Sequence, residues 1–322
     1  MEEHLVTIDR DRALAAFHRY VEPYDMRNPR IALKIDHTLR VAELCERIAR
    51  EQGFAPAGVD VAWLCGLLHD LGRFEQLRRW DTFRDDASVS HAALGAKILF
   101  GDASSREAIA GHGDAPTKDA PAGDSEPAAQ AVAMPESAAG TGDSMEDERF
   151  AQHCRQAGSI RAFLDDPALD DLIRAAVEHH SDFRLPDDLA VRTRAFCDVV
   201  RDADKIDILR VTCTDTVETV LGVTEDELLA SEVSPATEDA FFEHRTVKRD
   251  ERSTPADYLV GLACFAYELT YPASLDIAIE QGFLFQPFER PFGIERPFSQ
   301  PATRFLINQM DGHLRAWIDE QD

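Results

Sequence analysis

The stretch LLHDLGRFEQ at 67–76 sets two ionisable groups, His69 and Asp70, at the end of the apolar run VAWLCGLLHD. Burying either group without a partner is costly. The same conflict recurs along the chain. His37 shares a helical stripe with Leu33, Val41, Leu44 and Ile48, and Asp204 and Asp207 share one with Phe196, Val200 and Val211. His91 opens VSHAALGAKILF beside Gly95 and Ile98, and His179 and His180 close a segment whose Leu172, Ile173, Ala176 and Val177 should face a core. Singly, each has an ordinary explanation: a core hydrogen bond for a histidine, a helix cap or an arginine for Asp207. Collectively, five histidines and two or three aspartates on inward faces or helix ends point to a metal as the compensating charge. Imidazole with carboxylate suits Fe, Mn, Zn, Ni or Co rather than Ca or Mg alone. Adjacent helical residues lie about 100° apart. His69 and Asp70 can therefore share an ion only beside the helix end, with Asp70 able to bridge toward a second.

The elements that must position these groups are helices. Strand signals are nearly absent, and the apolar periodicity predicts helices over 31–50, 59–71, 89–100, 150–163, 168–180, 190–212 and 302–319. Another begins at TPADYLV, with Thr254 as N-cap, Pro255 at the first helical position and Asp257 at the third. Between 101 and 149 the composition shifts to Gly, Ala, Pro, Ser and Asp, which predicts a flexible insertion. A Phe/Pro-rich loop carries ERPF at 289–292 and again at 295–298, read as a loop pinned by its aromatics. The expected fold is all-α, with a first domain over 1–235 interrupted by the insertion and C-terminal helices over 236–322 packed on it.

The bulk properties narrow the partners. With 34 Lys and Arg against 60 Asp and Glu in 322 residues, the net charge is -26. Such a chain repels a nucleic-acid polymer. A small phosphorylated substrate is compatible with it where bound cations invert the local field. No run of about 18 apolar residues occurs, so no membrane span is expected. The start, MEEHLVTIDRDRALAAF, does not read as a secretory signal, and a cytoplasmic location is the expectation. The six cysteines are scattered without a C-x-x-C pair and read as reduced core residues.

In order, His37, His69-Asp70 and Asp204 within RDADKIDILR resemble the H…HD…D pattern of the HD superfamily of metal-dependent phosphohydrolases. HAALGAKIL and EHHSD resemble the H-x-x-x-G and HH segments of binuclear, HD-GYP-like members. The resemblance covers roughly residues 20–280 apart from the insertion, and it is closer to bacterial HD proteins with HDxGRFEQ and RDADKxDIL strings. It implies a helical HD bundle. It also implies one metal held by His37, His69, Asp70 and Asp204, and a second held by Asp70, His91, His179 and His180. One or two divalent transition-metal ions are expected, Mn, Fe, Co, Ni or Zn. The chain departs from the HD-GYP pattern in having Arg73 where Lys is usual and in lacking G-Y-P, continuing HHSDFRLP instead.

The implied activity is hydrolysis of a phosphate ester by metal-bound hydroxide. Asp70 would bridge the ions, and Arg73 would contact the phosphoryl group, with Arg201 and Lys205 as further candidates. Two other readings share the scaffold: an HD-type di-iron oxygenase resembling myo-inositol oxygenase, and a non-enzymatic nucleotide-binding regulator. A mononuclear form would use His37, His69, Asp70 and Asp204 alone, with His91, His179 and His180 lining the substrate pocket.

Overall fold

In a computed structural model, residues 7–101 and 144–321 are described, with side chains from 148 in the second stretch. Every regular element among them is helical, as expected of an all-α chain. They form two compact units, one reaching to Asp204 and one beginning at Lys205. The division thus falls at 204–205 rather than at the expected 235–236. It lies inside a helix, where neither a loop nor a change of composition marks it.

The first unit contains α1 (Arg10–Val21), α2 (Pro29–Glu51), α3 (Pro56–Leu68), α4 (Leu71–Trp80) and α5 (His91–Phe100). After the segment outside the described residues come α6 (Ser144–Ala157), α7 (Ile160–Phe163) and α8 (Asp170–His179), and α9 (Val191–Thr214) brings the first unit to its end. The expected insertion lies mostly outside the described residues, and its last part, from Ser144, is already helix α6.

Local chemistry sets the helix starts. Asn28 caps α2 by accepting from the Arg30 N–H, with Pro29 at the first position. Ser90 caps α5 by accepting from the Ala93 N–H, which fixes His91 as its first residue. Helix α3 buries Val61, Ala62, Leu64, Cys65, Leu67 and Leu68, so it is apolar on all sides and central, with α2 packed against it. Helix α5 packs between α4 and α8.

Helices α4 and α5 meet where side chains are absent. A Cβ added to Gly72 would lie 2.0 Å from the His91 carbonyl oxygen, and one on Gly95 would lie 3.2 Å from the Gly72 nitrogen. The glycine one turn after His91 therefore leaves room for the glycine two residues after Asp70.

In the second unit, Phe241, Leu259, Phe288, Phe298, Met310 and Leu314 belong to one apolar core. Thr254 and Asp257 form the expected capping box on helix Pro255–Ala263, which tightens to a 3-10 turn over Cys264–Glu268. Phe298 of the second ERPF is buried, and Phe292 of the first packs against the same core. All six cysteines are free, five of them buried.

Candidate metal centre

Four helix ends and two helix interiors of the first unit bring six of the expected ligands together. His37 lies in the middle of α2, His69 follows α3, Asp70 precedes α4, His91 opens α5, His180 follows α8, and Asp204 sits in α9. Their ligand atoms make three overlapping groups of buried donors: His37, His69 and Asp70; His69, His180 and Asp204; Asp70, His91 and His180. Asp70 stands at the middle. Its Oδ2 is 3.7 Å from His37 Nε2 and 3.6 Å from His69 Nε2, whereas its Oδ1 is 3.5 Å from His91 Nε2 and 3.8 Å from His180 Nε2. Asp204 Oδ1 lies 3.0 Å from His37 Nε2 and 3.6 Å from His69 Nε2.

The proton inventory decides what this arrangement fits. His69 Nδ1–H donates to the Gly66 carbonyl at 2.7 Å, and His180 Nδ1–H donates to the Val177 carbonyl at 2.7 Å. His91 Nδ1–H donates to the Asp85 carboxylate, 2.9 Å to Oδ2. A neutral ring carries one N–H, so in the rings of His91 and His180 Nε2 presents a bare lone pair. Burial, reinforced by the charges of neighbouring rings, lowers His180 to about 3, and burial with the Arg73 charge lowers His91. Neither ring is protonated at neutral pH.

His91 Nε2 and His180 Nε2 nevertheless stand 2.9 Å apart, lone pair against lone pair. His69 Nε2 is buried without a hydrogen bond among the described residues. Burial would raise the Asp70 carboxyl, but the Lys34 ammonium, followed by His69, the Arg73 guanidinium and His91, more than offsets it and holds it well below the usual carboxylate range. Imidazole nitrogens and carboxylate oxygens converging in a buried cluster, with the His91 and His180 lone pairs facing each other, are what a transition-metal site requires. The donor set fits the ions expected.

His179 is not brought into the cluster. It is part-exposed, and its Nδ1–H donates to Asp182 Oδ2 at 2.6 Å, a contact that raises its pKa above that of an ordinary histidine. Neighbouring residues at a helix end point in different directions, so only one ring of the HH pair reaches the centre, and it is His180.

Arg73 is fully buried and turned to protein groups. Its Nη1 donates to Gln76 Oε1 at 3.1 Å, to the Phe83 carbonyl and to Asp85 at 3.3 Å, and its Nε faces Asp70 Oδ1 at 3.5 Å. That placement makes it an organiser of Asp70 and of the loop holding Asp85. Arg201 donates to the carbonyls of His179, Asp182 and Phe183, and Lys205 faces Glu268 at 3.6 Å. Asp207, the other aspartate on the α9 stripe, pairs with Arg210 at 2.7 Å.

Two participants escaped the sequence reading. Asp85 orients His91 from a loop of ordinary polar composition, with no periodicity to single it out. Lys34, one turn before His37, donates to Asp70 Oδ2 at 2.9 Å. Its signal was present, a lysine close to an inward-facing histidine, but histidines and aspartates drew the argument.

Comparison with known proteins gives one finding. Residues 35–132 match the family model of the HD domain, a stretch that contains His37, His69, Asp70 and His91. No curated protein and no solved structure matches the chain. Residues 35–132 are thus similar to the HD domain, and the buried His and Asp donors gathered around them are consistent with a metal site.

Proposed function

We propose that the chain is a metal-dependent phosphohydrolase that acts on a small phosphorylated substrate through two divalent transition-metal ions. The observation that carries this is the division of Asp70. One carboxylate oxygen faces His37 and His69, and the other faces His91 and His180. His37, His69, Asp70 and Asp204 would hold one ion, and Asp70, His91 and His180 the other. Bound there, such ions supply Lewis acidity and a water acidic enough to give hydroxide near neutral pH.

The chain's own residues do the rest. Asp85 and the Gly66 and Val177 carbonyls fix three rings in the tautomer that leaves Nε2 free to ligate. Arg73 keeps Asp70 and Asp85 in register. The burial of the donor atoms lowers the local dielectric, so each charge there acts more strongly on a substrate than it would in water.

The test is hydrolysis of p-nitrophenyl phosphate and of its bis ester by metal-stripped protein reloaded in turn with Mn, Fe(II), Co, Ni and Zn. Turnover should require metal and should vanish, with loss of bound metal, in Asp70→Ala. The preferred ester then assigns monoesterase or diesterase activity. An Asp70→Ala protein as active as the parent would refute the centre. Oxygen uptake by the iron form without phosphatase turnover would favour an oxygenase.

A further inference from the structure

Lys34 is the cation of the centre that the reading above ties to Asp70 alone and gives no part in substrate binding. Its ammonium is 2.9 Å from Asp70 Oδ2 and 5.6 Å from the centre of the Phe83 ring. A positive charge on a metal-binding carboxylate works against metal binding: it withdraws charge from the ligand and repels the ion. The ammonium helps to keep Asp70 ionised in the unloaded centre, but with an ion bound the ion itself would do that, and the ammonium would add nothing to holding it.

Three observations bear on what the charge does. The Lys34 side chain, 11% exposed, and Asp204, 9% exposed, are the most open members of the centre, against 0–2% for His37, His69, Asp70, His91 and His180. They are the least enclosed of these groups, so a substrate arriving beside them would meet the ammonium. Arg73, the other nearby cation, is 1% exposed and turned to Asp70, Gln76, Phe83 and Asp85. The chain as a whole carries -26, so an anion needs a local positive charge to approach.

We propose that Lys34 is a substrate-binding residue: its ammonium contacts the phosphoryl oxygens of the substrate and of the phosphate product. This rests on the phosphohydrolase reading. Once Asp70 Oδ2 ligates an ion, that oxygen has less charge to offer the ammonium. The flexible four-carbon stem can then bring the ammonium to a phosphoryl oxygen at the open side. There it neutralises charge that grows as the ester bond breaks, without passing a proton.

The experiment is calorimetric titration of inorganic phosphate into the metal-loaded full-length protein, with metal content measured on the same samples. Lys34→Met should keep its metal, with affinity equal to or tighter than the parent's, and bind phosphate at least tenfold more weakly. Lys34→Arg should recover part of the loss. Phosphate affinity equal to the parent's in Lys34→Met would overturn the proposal. So would loss of metal in that variant, which would make Lys34 a support for Asp70 instead. If the metal-loaded parent itself binds no phosphate, the phosphohydrolase reading fails first, and the proposal fails with it.

Discussion

At the scale of single residues, adjacent His179 and His180 provide the sharpest contrast. They have the same side chain one position apart. One is buried among lone pairs with its pKa lowered to about 3, and the other is part-exposed against an aspartate that raises its pKa. His180→Ala should remove one ion from the His91 side and lower turnover by two orders of magnitude or more. His179→Ala should keep full metal content and activity within about twofold, since surface changes of this kind are worth about 0.5 kcal/mol or less. Metal counting and steady-state kinetics on the two variants check both halves. The reverse result would move the centre one residue along the chain. The HH pair itself was legible in the sequence. Which ring turns inward was not, because that depends on the phase of the last helical turn, which is set by packing on α5.

At the scale of elements, the centre depends on how closely α4 can approach α5. Gly72 and Gly95 face each other at that crossing, and a Cβ on Gly72 would sit 2.0 Å from the backbone oxygen of His91. A backbone atom cannot step aside as a flexible side chain can, so Gly72→Ala must push the start of α5 away. The expected result is destabilisation by about 1–3 kcal/mol, the usual cost of overpacking. Metal should be lost preferentially from the His91 and His180 side. Thermal unfolding and metal stoichiometry together test this; an unaltered Tm with both ions retained would show that the crossing is not what places His91.

The helices over Pro29–Glu51, Pro56–Leu68, His91–Phe100 and Val191–Thr214 could be read from apolar spacing, whereas Arg10–Val21 and Leu71–Trp80 could not, and four of the buried groups could be read from their places on inward stripes or at the end of an apolar run. The loop 81–90 could not. Its Phe83 carbonyl and its Asp85 carboxylate serve the centre through tertiary contacts that leave no local pattern.

At the scale of the molecule, the charge of -26 sets the long-range field, while Lys34, and any ion held beside it, would act only within a few ångströms. Surface charges are screened over a Debye length of about 8 Å at physiological ionic strength, whereas contacts in the buried centre are screened much less. For an anionic substrate, kcat/KM should therefore rise as salt is increased from low ionic strength, with kcat nearly constant and metal content unchanged. A steady fall with salt would mean that local cations steer the substrate from a distance. Among the described residues no helix is long and apolar enough to cross a membrane. The C-terminal boundary of the first unit could not be read from the sequence, since α9 runs through it without a break in helical pattern.

The order of the ligands along the chain has a consequence for synthesis. They are contributed at 37, 69, 70, 91, 180 and 204, and Asp204 is the final residue of its unit. A growing chain that has not yet emitted Asp204 offers imidazoles and a single carboxylate with no enclosing wall from α9. On the proposed reading, complete metal capture would belong after translation of the unit, as the stitch that ties the last helix to the first of these groups.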